Sequence, residues 1–270
     1  MKYKLFAFDM DGTILTSDKK IMPATIDKLD ELARRGVYVV VSTGRALAEI
    51  ADYKKEFQAV SYGIVISGGI VYDFKAAQAL SIHSVPENFI LELIDAGLDE
   101  DAMIHLLTLN DSITSQKYIS QMEKFQMGIY QSMFERICTR CDDLKKFVRD
   151  NPNKVLKVNL YHRDKESLDR TVERMKDSGL NLIFAEGTAL EASPKNISKG
   201  SGLRELCNVL KISVDECVAI GDGFNDYEIL QTAGVGVAMG NANDEIKKIA
   251  DFVTDDNDHD GVVKAIEKFF

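Results

Sequence analysis

Short unbroken apolar runs alternate with amphipathic stretches at both ends of this 270-residue chain. Residues 5–8, 37–41 and 63–66 are apolar without alternation, the pattern of strands buried on both faces. Between the first two, residues 23–35 place Ile26, Leu29, Leu32 and Ala33 on one helical face. Pro23 suits that helix's first turn and Gly36 its stop. Residues 46–57 predict a second helix. Buried strands separated by helices predict a parallel sheet covered on both sides.

The pattern changes after residue 84. From about 87 to 190 the strands become more polar and the helices more charged. Strands are predicted at 103–109, 155–161, 182–185 and 189–193, and helices at 87–98, 142–150 and 165–178. Residues 110–139 carry no clear period and receive no assignment. The first pattern then resumes, with helices at 199–210, 226–232, 244–250 and 262–270 and strands at 217–220, 235–238 and 252–253. We therefore expect a doubly wound, parallel-sheet (Rossmann-like) α/β core formed by residues 1–84 and 191–270. An α/β domain of residues 85–190 is inserted into it.

Composition narrows the function. The hydrophobic content of 45% and charged content of 28% are those of an ordinary globular protein. A net charge of −10 argues against a nucleic-acid partner, which would want a basic face. No stretch approaches a membrane span, and the apolar start is too short for a signal peptide before Asp9 interrupts it. Cys138, Cys141, Cys207 and Cys217 do not form a disulfide framework, so a cytoplasmic location is expected. Cys138 and Cys141 spell C-x-x-C, but no second pair or histidine completes a zinc site. His83, His105, His162 and His259 do not cluster.

Four short motifs fall where a core strand ends or a core helix opens. In a parallel α/β sheet such ends lie together in space, and ligands bind there. Asp9-Met10-Asp11-Gly12-Thr13 brings two carboxylates onto one side of an extended backbone. Like charges that close call for a cation or a shared proton, although an Asp-Gly turn capping a strand accounts for the residues equally well. Ser42-Thr43-Gly44-Arg45 leads into a helix and offers a hydroxyl and backbone N–H groups to an anion, or serves as a plain N-cap. Lys199 opens a helix against its dipole, which a nearby anion would rationalise; a solvated lysine is the alternative. Gly221-Asp222-Gly223-Phe224-Asn225-Asp226 gathers hard oxygen ligands of the sort that suit Mg²⁺.

In this order and spacing the four motifs resemble those of the haloacid dehalogenase-like hydrolases. The insert between the second and third resembles the large cap of their Cof-type, type-IIB members. That resemblance implies a phosphatase of small phosphate monoesters, sugar phosphates above all. It implies Asp9 as nucleophile forming an aspartyl-phosphate and Asp11 as general acid/base. It also implies Mg²⁺ held by Asp9, the Asp11 backbone carbonyl and Asp222, with Asp226 behind them. Thr43, Gly44, Lys199 and Asn225 would bind the phosphoryl group, and Arg45 would support its loop or form an outward ion pair. The substrate would be a small phosphorylated metabolite, and the protein a monomer or small homo-oligomer.

A phosphomutase of the same superfamily is the alternative, and a non-catalytic sensor of a phosphorylated ligand is a more distant one. Where relatives often carry Asn-Gly-Ala after the third strand, this chain has Ser67-Gly68-Gly69. Asp256, Asp258, Asp260, Gly261 and Glu267 match an EF-hand loop in spacing, but lack the helix that must precede it. The family's own C-terminal loop accounts for Asp258 to Val262.

Overall fold

A computed structural model describes residues 2–185 and 187–270. The chain opens with β1 (Leu5–Phe8), α1 (Pro23–Arg34), β2 (Tyr38–Ser42), the single turn α2 (Leu47–Ile50), β3 (Val60–Val65), β4 (Ile70–Asp73) and β5 (Gln78–Ile82). After the insert it closes with three further strands that join the same sheet. The chain divides into two compact units. The first comprises Met1–Gly44, Asp52–Ile82 and Ser198–Phe270, and the second Arg45–Ala51 and His83–Ile197.

The second unit contains α3 (Glu87–Asp99), β6 (Met103–Leu107), β7 (Ser112–Thr114), α4 (Gln116–Ile119), α5 (Gln131–Ile137), β8 (Thr139–Arg140), α6 (Leu144–Asp150), β9 (Lys157–Tyr161), α7 (Lys165–Met175), β10 (Asn181–Phe184) and β11 (Ala189–Ser193). Its six strands run in the order β10-β11-β9-β6-β7-β8. Only β7 and β8 pair in parallel. Alternation along the strands gives this sheet two unlike faces. Ile104, Leu106, Val158, Leu160 and Leu190 join Ile90, Leu93 and Leu168 of α3 and α7 in one buried cluster. The other face carries His105, Lys157, Asn159, Tyr161 and Glu191, with Lys157 buried and ion-paired to Glu191 at 3.0 Å. Glu49, from α2, belongs to this unit. It is buried, accepts the Ala46 N–H at 2.6 Å and lies 3.3 Å from the Ser112 hydroxyl. His105 reaches the same hydroxyl at 2.5 Å. Burial pushes the Glu49 carboxyl up and the His105 imidazole down to about 3, so both lean towards their neutral forms.

The first unit resumes with α8 (Lys199–Leu210), β12 (Cys217–Gly221), α9 (Tyr227–Thr232), β13 (Val235–Ala238), α10 (Asp244–Ile249), β14 (Phe252–Val253) and α11 (Gly261–Phe269). Its sheet runs β14-β13-β12-β1-β2-β3-β4-β5, with β1 at the centre between β2 and β12. Both faces of β1 are buried, which is why its run shows no alternation. Leu5 and Ala7 pack with Leu203 and Leu206 of α8. Phe6 and Phe8, on the other side, stack edge-on against Phe270 and Phe57.

The doubly wound core is as expected, and at one edge it is extended by β4, antiparallel to β3, and β5, antiparallel to β4. One expectation needs correction. The helix expected over residues 46–57 is instead the short α2 followed by a 3-10 turn at Ala51–Tyr53. That segment also passes from one unit to the other after Ala51.

Candidate functional site

The central strands β1, β2 and β12 end together, and three of the four predicted motifs stand at their ends. Asp9 leaves β1 with its N–H still donated to Ile220 of β12. Gly12 then turns the chain with a φ of +76°, and a Cβ there would stand 2.3 Å from an Asp222 carboxylate oxygen. Glycine is needed for both the backbone angle and the close approach. Thr13 donates its hydroxyl to Asp222 Oδ1 at 2.7 Å, so the residue closing the first motif fixes an acid of the fourth.

Lys199 is the first residue of α8. Ser198 and Ser201 cap that helix reciprocally, each side chain bonding the other's backbone N–H. The lysine side chain has no solvent exposure, and its ammonium donates to Asp9 Oδ1 and Asp226 Oδ1 at 2.6 Å each. The anion that would rationalise its placement is therefore a pair of carboxylates. Asp226 uses its second oxygen to accept the N–H groups of Asp222 and Gly223, both at 3.0 Å.

Asp9, Asp222 and Asp226 bring carboxylate oxygens within 4.8 Å of one another. Burial raises the Asp9 carboxyl well above the usual range, against the opposing pull of Lys199. Burial, then the Asp226 charge, pushes Asp222 up to about 7. Desolvation works against the Lys199 ammonium, but Asp226 and Asp9 outweigh it and hold its pKa above the ordinary value. Two acids thus share one ammonium, with a third acid beside them. This donor set of hard oxygens with surplus negative charge fits a divalent cation.

Thr43 is buried beside this group of strand ends. Its N–H donates to Ile64, and its carbonyl accepts the Ser67 N–H at 2.9 Å. Ile66, Ser67 and Gly68 all have left-handed backbone, at φ of +54°, +53° and +94°. A Cβ on Gly68 would meet the Ser198 carbonyl at 2.0 Å, so this loop packs directly against the cap of α8. The Ser67-Gly68-Gly69 departure is built into the frame that holds Lys199.

Asp11 stands apart from the three clustered acids. Its carboxylate pairs with Lys19 at 2.9 Å, a partner that the motifs gave no reason to single out. Asn225 is half-buried in the turn after Gly223, and Gly44 is half-buried after Thr43. Arg45 is placed with the second unit, where Nη1 approaches the Glu49 carbonyl at 3.4 Å and the Met133 sulfur at 3.8 Å. In the C-terminal loop, Asp258 accepts from the Ser17 N–H and hydroxyl at 2.9 and 2.6 Å, and Asp256 pairs with His259. These acids serve protein donors.

An acidic cluster that could hold a cation thus lies beyond the strand ends of a doubly wound sheet, the place where α/β proteins bind ligands. A family model described as haloacid dehalogenase-like hydrolase matches residues 6–266. The 5-amino-6-(5-phospho-D-ribitylamino)uracil phosphatase of Bacillus subtilis is 28% identical over 265 residues, covering 97% of this chain and 94% of its own. The HMP-PP phosphatase of Serratia proteamaculans is 30% identical over 247 residues, covering 92% and 87%. A solved haloacid dehalogenase-like hydrolase from B. subtilis superposes with a TM-score of 0.88 at 26% identity, covering 99% of this chain and 100% of that one. The chain belongs to the haloacid dehalogenase-like hydrolases, and within them to the Cof-type phosphatases, enzymes of phosphoric monoester hydrolysis. Among the described residues, no helix is long and apolar enough to cross a membrane.

Proposed function

We propose that this protein is a Mg²⁺-dependent phosphatase of small phosphorylated metabolites, sugar phosphates foremost, that works through an aspartyl-phosphate on Asp9. The observation that carries this reading is the meeting of Asp9 with Lys199, Asp222 and Asp226 at the centre of the sheet edge. Asp9, the Asp11 backbone carbonyl and Asp222 would hold the ion, with Asp226 fixing Lys199 and the 222–223 backbone behind them. When bound, the ion supplies positive charge that offsets the repulsion between the Asp9 carboxylate and the phosphate.

A carboxylate is a nucleophile without help from a base. An Asp9 oxygen bonds phosphorus as the ester P–O bond breaks, and that bond's electrons leave on the departing oxygen. Asp11 gives this oxygen a proton, then takes one from the water that attacks the phosphorus of the aspartyl-phosphate; the Asp9 O–P bond breaks, its electrons return to the Asp9 carboxylate, and inorganic phosphate leaves. Lys199, the Thr43 hydroxyl, the Gly44 N–H and Asn225 would steady the phosphoryl oxygens, with Lys199 balancing charge that grows in the transition state. We assign substrate choice to the inserted unit, residues 85–190, as the cap. The names of the two relatives, each a phosphatase of a small phosphorylated compound, support the substrate class. Four free cysteines support a reducing, cytoplasmic setting.

Phosphate release should be screened over sugar phosphates, nucleotides and cofactor phosphates with Mg²⁺. We expect release from small esters, its loss with chelator, and its abolition in Asp9→Asn. Appreciable turnover by that variant would refute the mechanism. Isomerised hexose phosphate in place of free phosphate would turn the reading to a mutase.

A further inference from the structure

We propose that Lys19 is a positioning residue for Asp11, holding its carboxyl in the direction from which a proton passes to the leaving oxygen. The inference rests on Asp11 being the general acid of the proposed phosphatase. Lys19 lies at the tip of a narrow hairpin that begins directly after the first motif. Asp11 bridges to Leu15, and Leu15 to Ile21. Thr16 donates its N–H to the Lys20 carbonyl and accepts from the Lys19 N–H, each at 2.8 Å.

Lys19 has a φ of +58°, in the left-handed region that a side chain with a Cβ adopts at a cost. Such a conformation persists only where the surroundings over-determine it. Here they do so from several sides. Tyr53 donates its hydroxyl to the Lys19 carbonyl at 3.2 Å. Asn257 donates to the Leu15 carbonyl at 2.8 Å, and Asp258 takes both donors of Ser17. The acidic C-terminal loop, which by its spacing looked like a calcium site, is thus a clamp on the hairpin. The product of this bracing is one ammonium placed 2.9 Å from Asp11 Oδ1. The two side chains are 25% and 29% exposed, a setting in which an ion pair adds little to stability. Stability therefore does not explain a strained, multiply anchored lysine. Direction does, because a proton donor misplaced by about an ångström can lose roughly a hundredfold in rate.

The test separates the proton step from everything else. An alkyl phosphate such as glycerol phosphate needs a proton on its departing oxygen; p-nitrophenyl phosphate releases a stable phenolate that does not. The ratio kcat/KM reports the first transfer to Asp9 for both. In Lys19→Met we expect kcat/KM for the alkyl ester to fall roughly tenfold. For the aryl ester it should stay within about twofold, and Lys19→Arg should recover most of the loss. Equal losses on both esters would reduce Lys19 to a structural role and overturn the inference, as would no loss on either. A wild-type protein that releases phosphate from neither ester nor from any compound of the wider screen would overturn the phosphatase reading and this one with it. Wild-type turnover with indifferent Lys19 variants would overturn this one alone.

Discussion

Replacing Lys199 by methionine removes a charge while keeping most of the side chain's length, and the structure sets the scale of the effect. The ammonium is fully buried and bonded at 2.6 Å to two carboxylates, with a third acid, Asp222, in the same cluster. Breaking a buried pair by removing one partner leaves an uncompensated charge and costs about 3–5 kcal/mol. At roughly 2–4 °C per kcal/mol for a domain of 150–250 residues, the melting temperature should fall on the order of 10 °C. The measurement is a thermal melt of the metal-free protein at pH 8. The loss must also depend on pH. Burial already raises the Asp9 carboxyl above its unfolded value, and loss of the ammonium raises it further. A carboxylate raised in this way destabilises the fold fully above its folded pKa and not at all below its unfolded one. The variant should therefore approach wild type as pH falls towards the ordinary carboxylate range. Adding Asp226→Asn should recover part of the loss, with a coupling of about 1 kcal/mol or more. A shift under about 2 °C at pH 8, or one that ignores pH, would refute the view that two acids depend on one lysine.

Two other expectations concern the same cluster. Gly12→Ala puts a methyl group 2.3 Å from an Asp222 oxygen on a backbone at φ +76°. It should destabilise by more than about 1 kcal/mol and weaken Mg²⁺ binding, read by urea melts and calorimetry; wild-type affinity would count against the packing argument. Asp222, raised to about 7 without metal, stabilises the fold below the ordinary carboxylate range and loses that contribution as pH rises through 7. The proposed Mg²⁺ would compete with that proton, so it should raise the melting temperature more at pH 8 than at pH 6; an equal shift at both would contradict the burial-raised pKa.

The sequence declared the core because residues buried on both sides must be apolar without a break, as Phe6 and Phe8 are on one face and Leu5 and Ala7 on the other. The edge strands β4 and β5 gave no such signal. In β5, at the sheet edge, Gln78 and Ile82 are exposed, and the strand pairs with β4. Residues 46–57 looked like one helix because local periodicity carries no mark of a chain shared between two units. The site followed the same division. Acid-glycine motifs pointed to Asp9, Asp222 and Asp226 because they recur at several strand ends of one sheet, where a single Asp-Gly turn would only cap a strand. Lys19 and Glu49 had no local signature. A lone lysine in a hairpin or a lone glutamate in a helix reads as a solvated surface residue until distant partners are in place.

The allegiance of Arg45–Ala51 bears on how this chain could be taken apart, by an engineer or by evolution. An insert joined at two points can be cut out and transplanted as a cassette. Here the chain crosses between units four times, at residues 44/45, 51/52, 82/83 and 197/198. Residues 83–197 expressed alone would lack Glu49, and Ser112 would lose a buried neighbour at 3.3 Å. Exchanging residues 83–197 between relatives would thus carry a hidden mismatch. The exchange needs this seven-residue segment as well, although it begins immediately after Thr43-Gly44 in the chain.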